Sequence, residues 1–170
     1  MIYWYDCEFD EYSKEEVKLI SIGIVSEDHR EYYAECIFNE EICSPWVKQH
    51  VLPRLGKAKN RKTKDEIRTE LEDFFFGDEA ICLVAYKGGH DHVLLTRLFG
   101  SMSELHILPH YTWDIKQKVD ELRYEGEEVK LPRNKKKHHA LADARWARIA
   151  SLYMIENHGV NIPVIKLNKN

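Results

Sequence analysis

The sequence predicts an α/β layer protein with a mixed sheet, and three observations carry that expectation. Three strand-like runs come first, the second and third joined by a tight turn, as in an antiparallel meander. Residues 81–86 (Ile-Cys-Leu-Val-Ala-Tyr) form a continuous apolar run, the pattern of a strand covered on both faces. Around and after that run lie segments with apolar residues at helical spacing, the last of them long. Strands, helices, a buried strand and further helices in one chain require helices packed on a sheet.

The elements follow in order. Residues 2–5 are apolar and β-favouring and end at Asp6. Residues 19–25 (Leu-Ile-Ser-Ile-Gly-Ile-Val) are the clearest strand, Glu27-Asp28-His29 reads as a turn, and residues 30–36 as its partner strand. Ser44-Pro45 is a helix start, with Ser as cap and Pro at the first helical position, and the helix should stop near Pro53. Ile67, Leu71, Phe74 and Phe75 mark a helix over 64–76. Gly88-Gly89 ends the buried strand, and residues 91–99 read as a helix closed by Gly100. One more strand fits ahead of a helix over 114–124, and residues 126–137 are a polar, basic loop. The last helix should span about 139–157, with Ala140, Ala144, Ala147, Ser151 and Met154 as a small-residue stripe and with Gly159 and Pro163 at its end.

A chain of 170 residues is long enough for one domain with a sizeable core, and no repeat or linker divides it, so residues 1–170 are expected to form a single domain. No apolar run reaches the roughly 18 residues of a spanning helix, which excludes an integral helical membrane protein, and the first residues lack the pattern of a secretory signal. Cys7, Cys36, Cys43 and Cys82 show no C-x-x-C spacing and are read as reduced thiols in a cytoplasmic protein. The net charge of −4 does not suggest a polyanion binder, but its distribution does. Residues 54–68 carry seven basic and two acidic side chains, and residues 130–137 carry five basic side chains and no acid. Two basic patches on an acidic body can hold an anion locally; solvated lysine-rich loops are the plainer alternative.

Asp6 and Glu8, two apart at the end of a strand, should share a face. Two carboxylates so placed repel each other unless a cation sits between them, although a pair of exposed acids is the simpler account. Asp91 follows the buried strand at a helix start, and Asp143 stands among Ala142, Ala144 and Ala147 of the last helix, five residues after His138. Together these are four carboxylates and a histidine at the edges of elements. Four carboxylates suit two hard divalent ions that clamp the attacking and leaving oxygens of a phosphodiester, and a neighbouring histidine can take the proton of the attacking water.

Asp6-Cys7-Glu8, Asp91 and His138-His139-Ala140-Leu141-Ala142-Asp143 resemble the three exonuclease motifs of the DEDD superfamily of 3′→5′ exonucleases, and the His-x-x-x-x-Asp spacing marks the subclass that uses histidine. Residues 5–9 (Tyr-Asp-Cys-Glu-Phe), 19–23, 31–34, 46–47, 50–53 (His-Val-Leu-Pro) and 91–93 are similar to the small actinobacterial exoribonucleases called polyadenylate-specific 3′-exoribonuclease AS. Proofreading members of the superfamily usually follow the first Glu with Thr and Gly, where this chain has Phe9 and Asp10, and often carry Asn where this chain has Lys87. Both departures weigh against a proofreading role.

The resemblance implies a ribonuclease-H-like mixed sheet flanked by helices and a two-metal exoribonuclease dependent on Mg²⁺ or Mn²⁺, releasing nucleoside 5′-monophosphates from single-stranded RNA or RNA 3′ overhangs. It implies Asp6, Glu8, Asp91 and Asp143 as metal ligands, Asp6 bridging, and His138 as general base, chosen over His139 by spacing. It also implies a homodimer as a common state. Phe9 and Trp46 are the candidates to stack on bases, and Lys135, Lys136 and Lys137 to meet phosphates, since that loop runs into His138. Trp113 and Trp146 are read as core, and His50 as an ordinary side chain. The alternatives are the same chemistry on DNA and, from another class, a non-catalytic nucleic-acid-binding module.

Overall fold

In the computed structural model, residues 1–13, 16–78, 80–101, 105–163 and 165–166 are described. Strands β1 (Ile2–Ser13) and β2 (Glu16–Ser26) pair antiparallel, and β3 (Glu31–Glu35) pairs antiparallel with β2. Helices α1 (Pro45–His50) and α2 (Lys64–Phe75) lead to β4 (Ala80–Ala85). Helix α3 (Gly89–Arg97), the two-residue β5 (Trp113–Asp114), α4 (Ile115–Tyr124), α5 (Ala140–His158) and β6 (Ile165–Lys166) follow. The strand order is β3-β2-β1-β4-β5, with β4 parallel to both β1 and β5, and β6 pairs antiparallel with β4. The mixed sheet flanked by helices is therefore present.

Side chains of β1 alternate between two apolar layers. Tyr3, Tyr5 and Cys7 pack with Ile67 and Leu71 of α2 and with Leu94 and Leu95 of α3. Trp4 packs on the other side, with Ile115 and Val119 of α4 and Ala147, Ala150 and Met154 of α5. Asp6 and Glu8 continue the alternation of Trp4, so both carboxylates face the α5 layer. The small-residue stripe predicted on α5 is the face that meets the sheet.

One expectation needs correction. The first strand does not end at Asp6 but runs to Ser13, and Asp6 and Glu8 lie inside it, opposite Gly23 and Ser21 of β2. The acids read as an ending because they interrupt an apolar run. Pairing with β2 carries the strand on regardless. On its other side, β4 pairs only with Ile2, Tyr3 and Trp4. From Tyr5 onward no strand among the described residues lies beside that edge of β1, which opens the sheet where the acids stand.

Two local features seat the helices around this opening. Ser44 caps α1 as predicted, accepting from the Val47 N–H, and its own N–H donates to the buried Asp10 carboxylate at 2.6 Å, tying α1 to β1. At Gly23 an added Cβ would stand 2.2 Å from the Leu141 backbone nitrogen, so the first turn of α5 lies directly on β2. Helix α5 ends at Gly159 in the left-handed region, as predicted. Cys7, Cys36, Cys43 and Cys82 are all buried. Among the described residues no helix is long and apolar enough to cross a membrane.

Candidate active site

The opening beside β1 is a cleft of about 1120 Å³. Its walls include Asp6, Glu8 and Phe9 of β1, Asp91 of α3, His138 and, from α5, Asp143. Ligands of open α/β sheets gather at the carboxyl ends of parallel strands, and the cleft lies where β4 stops accompanying β1. Asp6, Glu8 and Asp143 bring one carboxylate oxygen each to within 4.8 Å of one another. Three hard oxygen donors at that spacing fit a divalent cation such as Mg²⁺ or Mn²⁺.

Each carboxylate is positioned by a different device. Asp6 and Glu8 share a face of β1. Asp143 sits in the first turn of α5, where one oxygen accepts from the His139 N–H at 3.2 Å and the other from the Asn134 side-chain amide. Asp91 is buried in the first turn of α3, and its Oδ1 accepts the Cys7 N–H at 2.9 Å. That N–H faces the edge β4 has left, so Asp91 supplies the partner the strand lacks. Asp114, the cap of α4, accepts from the N–H groups of Lys87 and Gly88 and so braces the turn into α3.

Crowding sets the electrostatics. Burial, then repulsion from Asp91, Glu8 and Asp143, holds the Asp6 carboxyl well above the usual range. Burial, with repulsion from Asp143 and Asp91, pushes Glu8 up to about 8 against the pull of the Arg54 guanidinium. Burial raises Asp91 to about 6, opposed by its bond from Cys7. Asp6, Glu8 and Asp91 thus favour the protonated form more than free carboxyls do, and a bound cation would relieve the repulsion among them.

The two histidines of the motif part company. His138 is half-buried on the cleft wall with φ 65°, its ring edge-on to Trp46 at 4.9 Å and 5.9 Å from the His50 ring. Burial lowers its pKa, Asp143 pulls the other way, and Arg54 and His50 add to the lowering. His139 stacks on Tyr33 at 4.7 Å, and its Nδ1 is buried. Spacing and geometry agree in placing His138, rather than His139, at the cleft.

The other candidates divide. Phe9 lines the cleft and packs against His90. Lys135 and Lys137 line it; Lys136 is exposed and is not among the lining residues. Trp46 is half exposed and stands behind His138, stacked on His50, rather than on the cleft wall. Trp113 packs against the apolar layer, as expected. Trp146, read as core, does pack there, but it also lines the cleft and donates its indole N–H to the Pro132 carbonyl at 2.8 Å. His50, read as ordinary, lines the cleft too.

Sequence reasoning missed Asn134 and left Arg54 undecided within the basic stretch 54–68. Three of its seven basic side chains are ion-paired: Arg61 with Glu35 and Glu40, Lys62 with Glu70, and Arg68 with Asp65 and Glu72. Arg54 is different, for it reaches the cleft. No local pattern separates it from its neighbours; the sole hint is its place after the 50–53 segment.

Residues 2–154 match the profile of the 3′-5′ exoribonuclease Rv2179c-like domain. The 3′-5′ exoribonuclease Rv2179c of Mycobacterium tuberculosis is 39% identical over 151 residues, covering 85% of this chain and 88% of the relative. Among solved structures, the Mg²⁺- and Mn²⁺-bound form of S. pombe Pop2p superposes with a TM-score of 0.68 at 12% identity, over 98% of this chain and 89% of that one. Exonuclease I from Methylocaldum szegediense gives 0.68 at 17% identity over 93% of this chain, which spans only 41% of that protein. The fold is that of these ribonuclease-H-like exonucleases.

Proposed function

The chain belongs to the Rv2179c-like family of 3′-5′ exoribonucleases, and from that premise we propose that it removes nucleoside 5′-monophosphates from the 3′ end of single-stranded RNA or an RNA 3′ overhang, using two Mg²⁺ or Mn²⁺ ions. The observation that carries the metal reading is the convergence of the Asp6, Glu8 and Asp143 carboxylates within 4.8 Å. Family membership makes the chain an enzyme rather than a non-catalytic binding module. Residues 1–170 act as one catalytic domain in this reading.

Bound in the cleft, the cations supply electrostatic stabilisation to the attacking and leaving oxygens of the phosphodiester. Asp6, Glu8 and Asp143 would hold one cation, and Asp6 and Asp91 would serve a second. His138 accepts the proton of the attacking water at an imidazole nitrogen, and its lowered pKa keeps that nitrogen free at neutral pH. Phe9 offers a flat partner to the terminal base, and the half-exposed Trp46, outside the cleft wall, a further one to a nucleotide beyond it. Lys135, Lys136 and Lys137 draw in the phosphates of the strand. Cytoplasmic placement rests on the few cysteines and their lack of C-x-x-C spacing, and a homodimer on the resemblance to the family.

The test is digestion of 5′-labelled RNA and DNA strands of matched sequence, in Mg²⁺, in Mn²⁺ and in chelator. A ladder shortening from the 3′ end of RNA, absent in chelator and absent from 3′-blocked strands, is expected. Activity retained in chelator would refute the metal mechanism. Equal degradation of DNA would replace RNA with the wider single-strand substrate.

A further inference from the structure

Arg54 ends the short turn after α1 and spans the gap between that helix and the loop leading to His138. Its Nε donates to the Lys137 carbonyl at 2.7 Å and its Nη1 donates to the His50 carbonyl at 2.8 Å. Lys137 immediately precedes His138, and His50 lies beside the His138 ring. One planar guanidinium therefore ties the backbone just ahead of His138 to the end of α1 beside the His138 ring. His138 needs such support, because a non-glycine residue at φ 65° persists only where its surroundings impose that conformation. The rest of the loop is fastened to α5: the Asn134 amide bonds to Asp143, and Trp146 donates to the Pro132 carbonyl. Just after His138 the His139 N–H donates to Asp143 at 3.2 Å, and just before it Arg54 holds Lys137 to α1.

We propose that Arg54 is a positioning residue that clamps the 132–138 loop to α1 and thereby aims His138 into the cleft. This rests on His138 being the general base. A basic side chain in a nuclease cleft would ordinarily be read as a phosphate contact. Here two of the three guanidinium nitrogens are committed to backbone carbonyls in a fork that fixes geometry. A lysine, with one nitrogen on a flexible stem, keeps the charge but not that fork.

The experiment is a double-mutant cycle with Arg54→Ala, Arg54→Lys and His138→Ala on RNA at saturating Mn²⁺, with thermal unfolding of each variant as a check on the fold. Arg54 is exposed, so its variants should unfold near the parent temperature. Arg54→Ala should slow the rate at saturating RNA about 10- to 100-fold, the usual cost of misplacing a catalytic group by an ångström, while KM moves by less than about threefold. Arg54→Lys should recover little of the rate. In the His138→Ala background, Arg54→Lys, which keeps the charge that acts on Glu8, should cost nothing more, because the residue the fork aims is gone. A loss that persists in that background, a rise in KM at unchanged rate, or full recovery with lysine would overturn the clamp and leave His138 as base. A His138→Ala enzyme at the parent rate would overturn the base reading itself, and the clamp with it.

Discussion

A carboxylate among other carboxylates in a half-closed cleft can lower its energy by taking a proton or by taking a cation. Asp6 and Glu8 face that choice, and their raised pKa values measure how poorly the cleft tolerates bare negative charge. His138 stands at the same wall with the opposite tendency, since burial disfavours its charged form. That combination suits a base beside a cation site. His138→Ala should reduce the single-turnover rate about 10²- to 10⁴-fold while metal and RNA still bind, because no ligand is removed. His139→Ala should lose far less rate: its ring is stacked on Tyr33, and its loss is felt in packing. The parent rate should rise with pH and reach its plateau earlier than an unperturbed imidazole would allow, since the base must be neutral to act and its pKa lies below 6.5. Comparing the two variants at saturating Mn²⁺ decides between the histidines; a crippled His139→Ala enzyme would reverse the assignment.

At the scale of elements, the motif residues were legible because they fall at breaks in local pattern: acids after an apolar run, an aspartate in an alanine-rich helix. The true length of β1 was not, because its continuation past Asp6 depends on β2 and not on its own apolar content. The roles of residues 54–68 were not legible either, for the acids that pair with Arg61, Lys62 and Arg68 come from β3, the segment after it and α2. Gly23 looked like one residue of a strand, yet it decides how closely α5 approaches. A methyl group there would meet the backbone of residues 140 and 141 at 2.2–2.4 Å, and backbone cannot swing aside as a side-chain tip can. Gly23→Ala should therefore lift the start of α5, carry Asp143 away from Asp6 and Glu8, and destabilise the fold by about 1–3 kcal/mol. Its rate should fall by about 10²-fold. Gly89→Ala is the control, since a Cβ there meets nothing within 4 Å. Thermal unfolding and rate measured on both variants would separate close packing at Gly23 from a general glycine effect; equal behaviour of the two would refute it.

Across the whole molecule, charge is sorted rather than balanced. A net charge of −4 conceals basic side chains on the loop before α5, some of them on the cleft wall, over a floor of carboxylates. In the proposed reading, an incoming strand would meet the lysines first and the acids only where cations bridge them. The same floor makes folding depend on pH in an unusual direction. Glu8 is raised to about 8 and Asp91 to about 6, with Asp6 raised as well, whereas in the unfolded chain these groups titrate near 4. Between about pH 4 and pH 8 the folded state binds more protons than the unfolded one, so metal-free stability falls as pH rises through that window. A cation that binds only the folded cluster offsets the loss, and competes with protons for the same oxygens. The melting temperature in chelator should therefore drop from pH 5 to pH 8, while the increment from added Mg²⁺ or Mn²⁺ should grow over the same range. Asp6→Asn should flatten both trends, because it removes one of the repelling charges together with a ligand. Thermal melts at pH 5 and pH 8, each with chelator and with Mn²⁺, provide the measurement. An Mn²⁺ increment no larger at pH 8 than at pH 5 would mean that the cluster neither stores this repulsion nor relieves it by binding a cation.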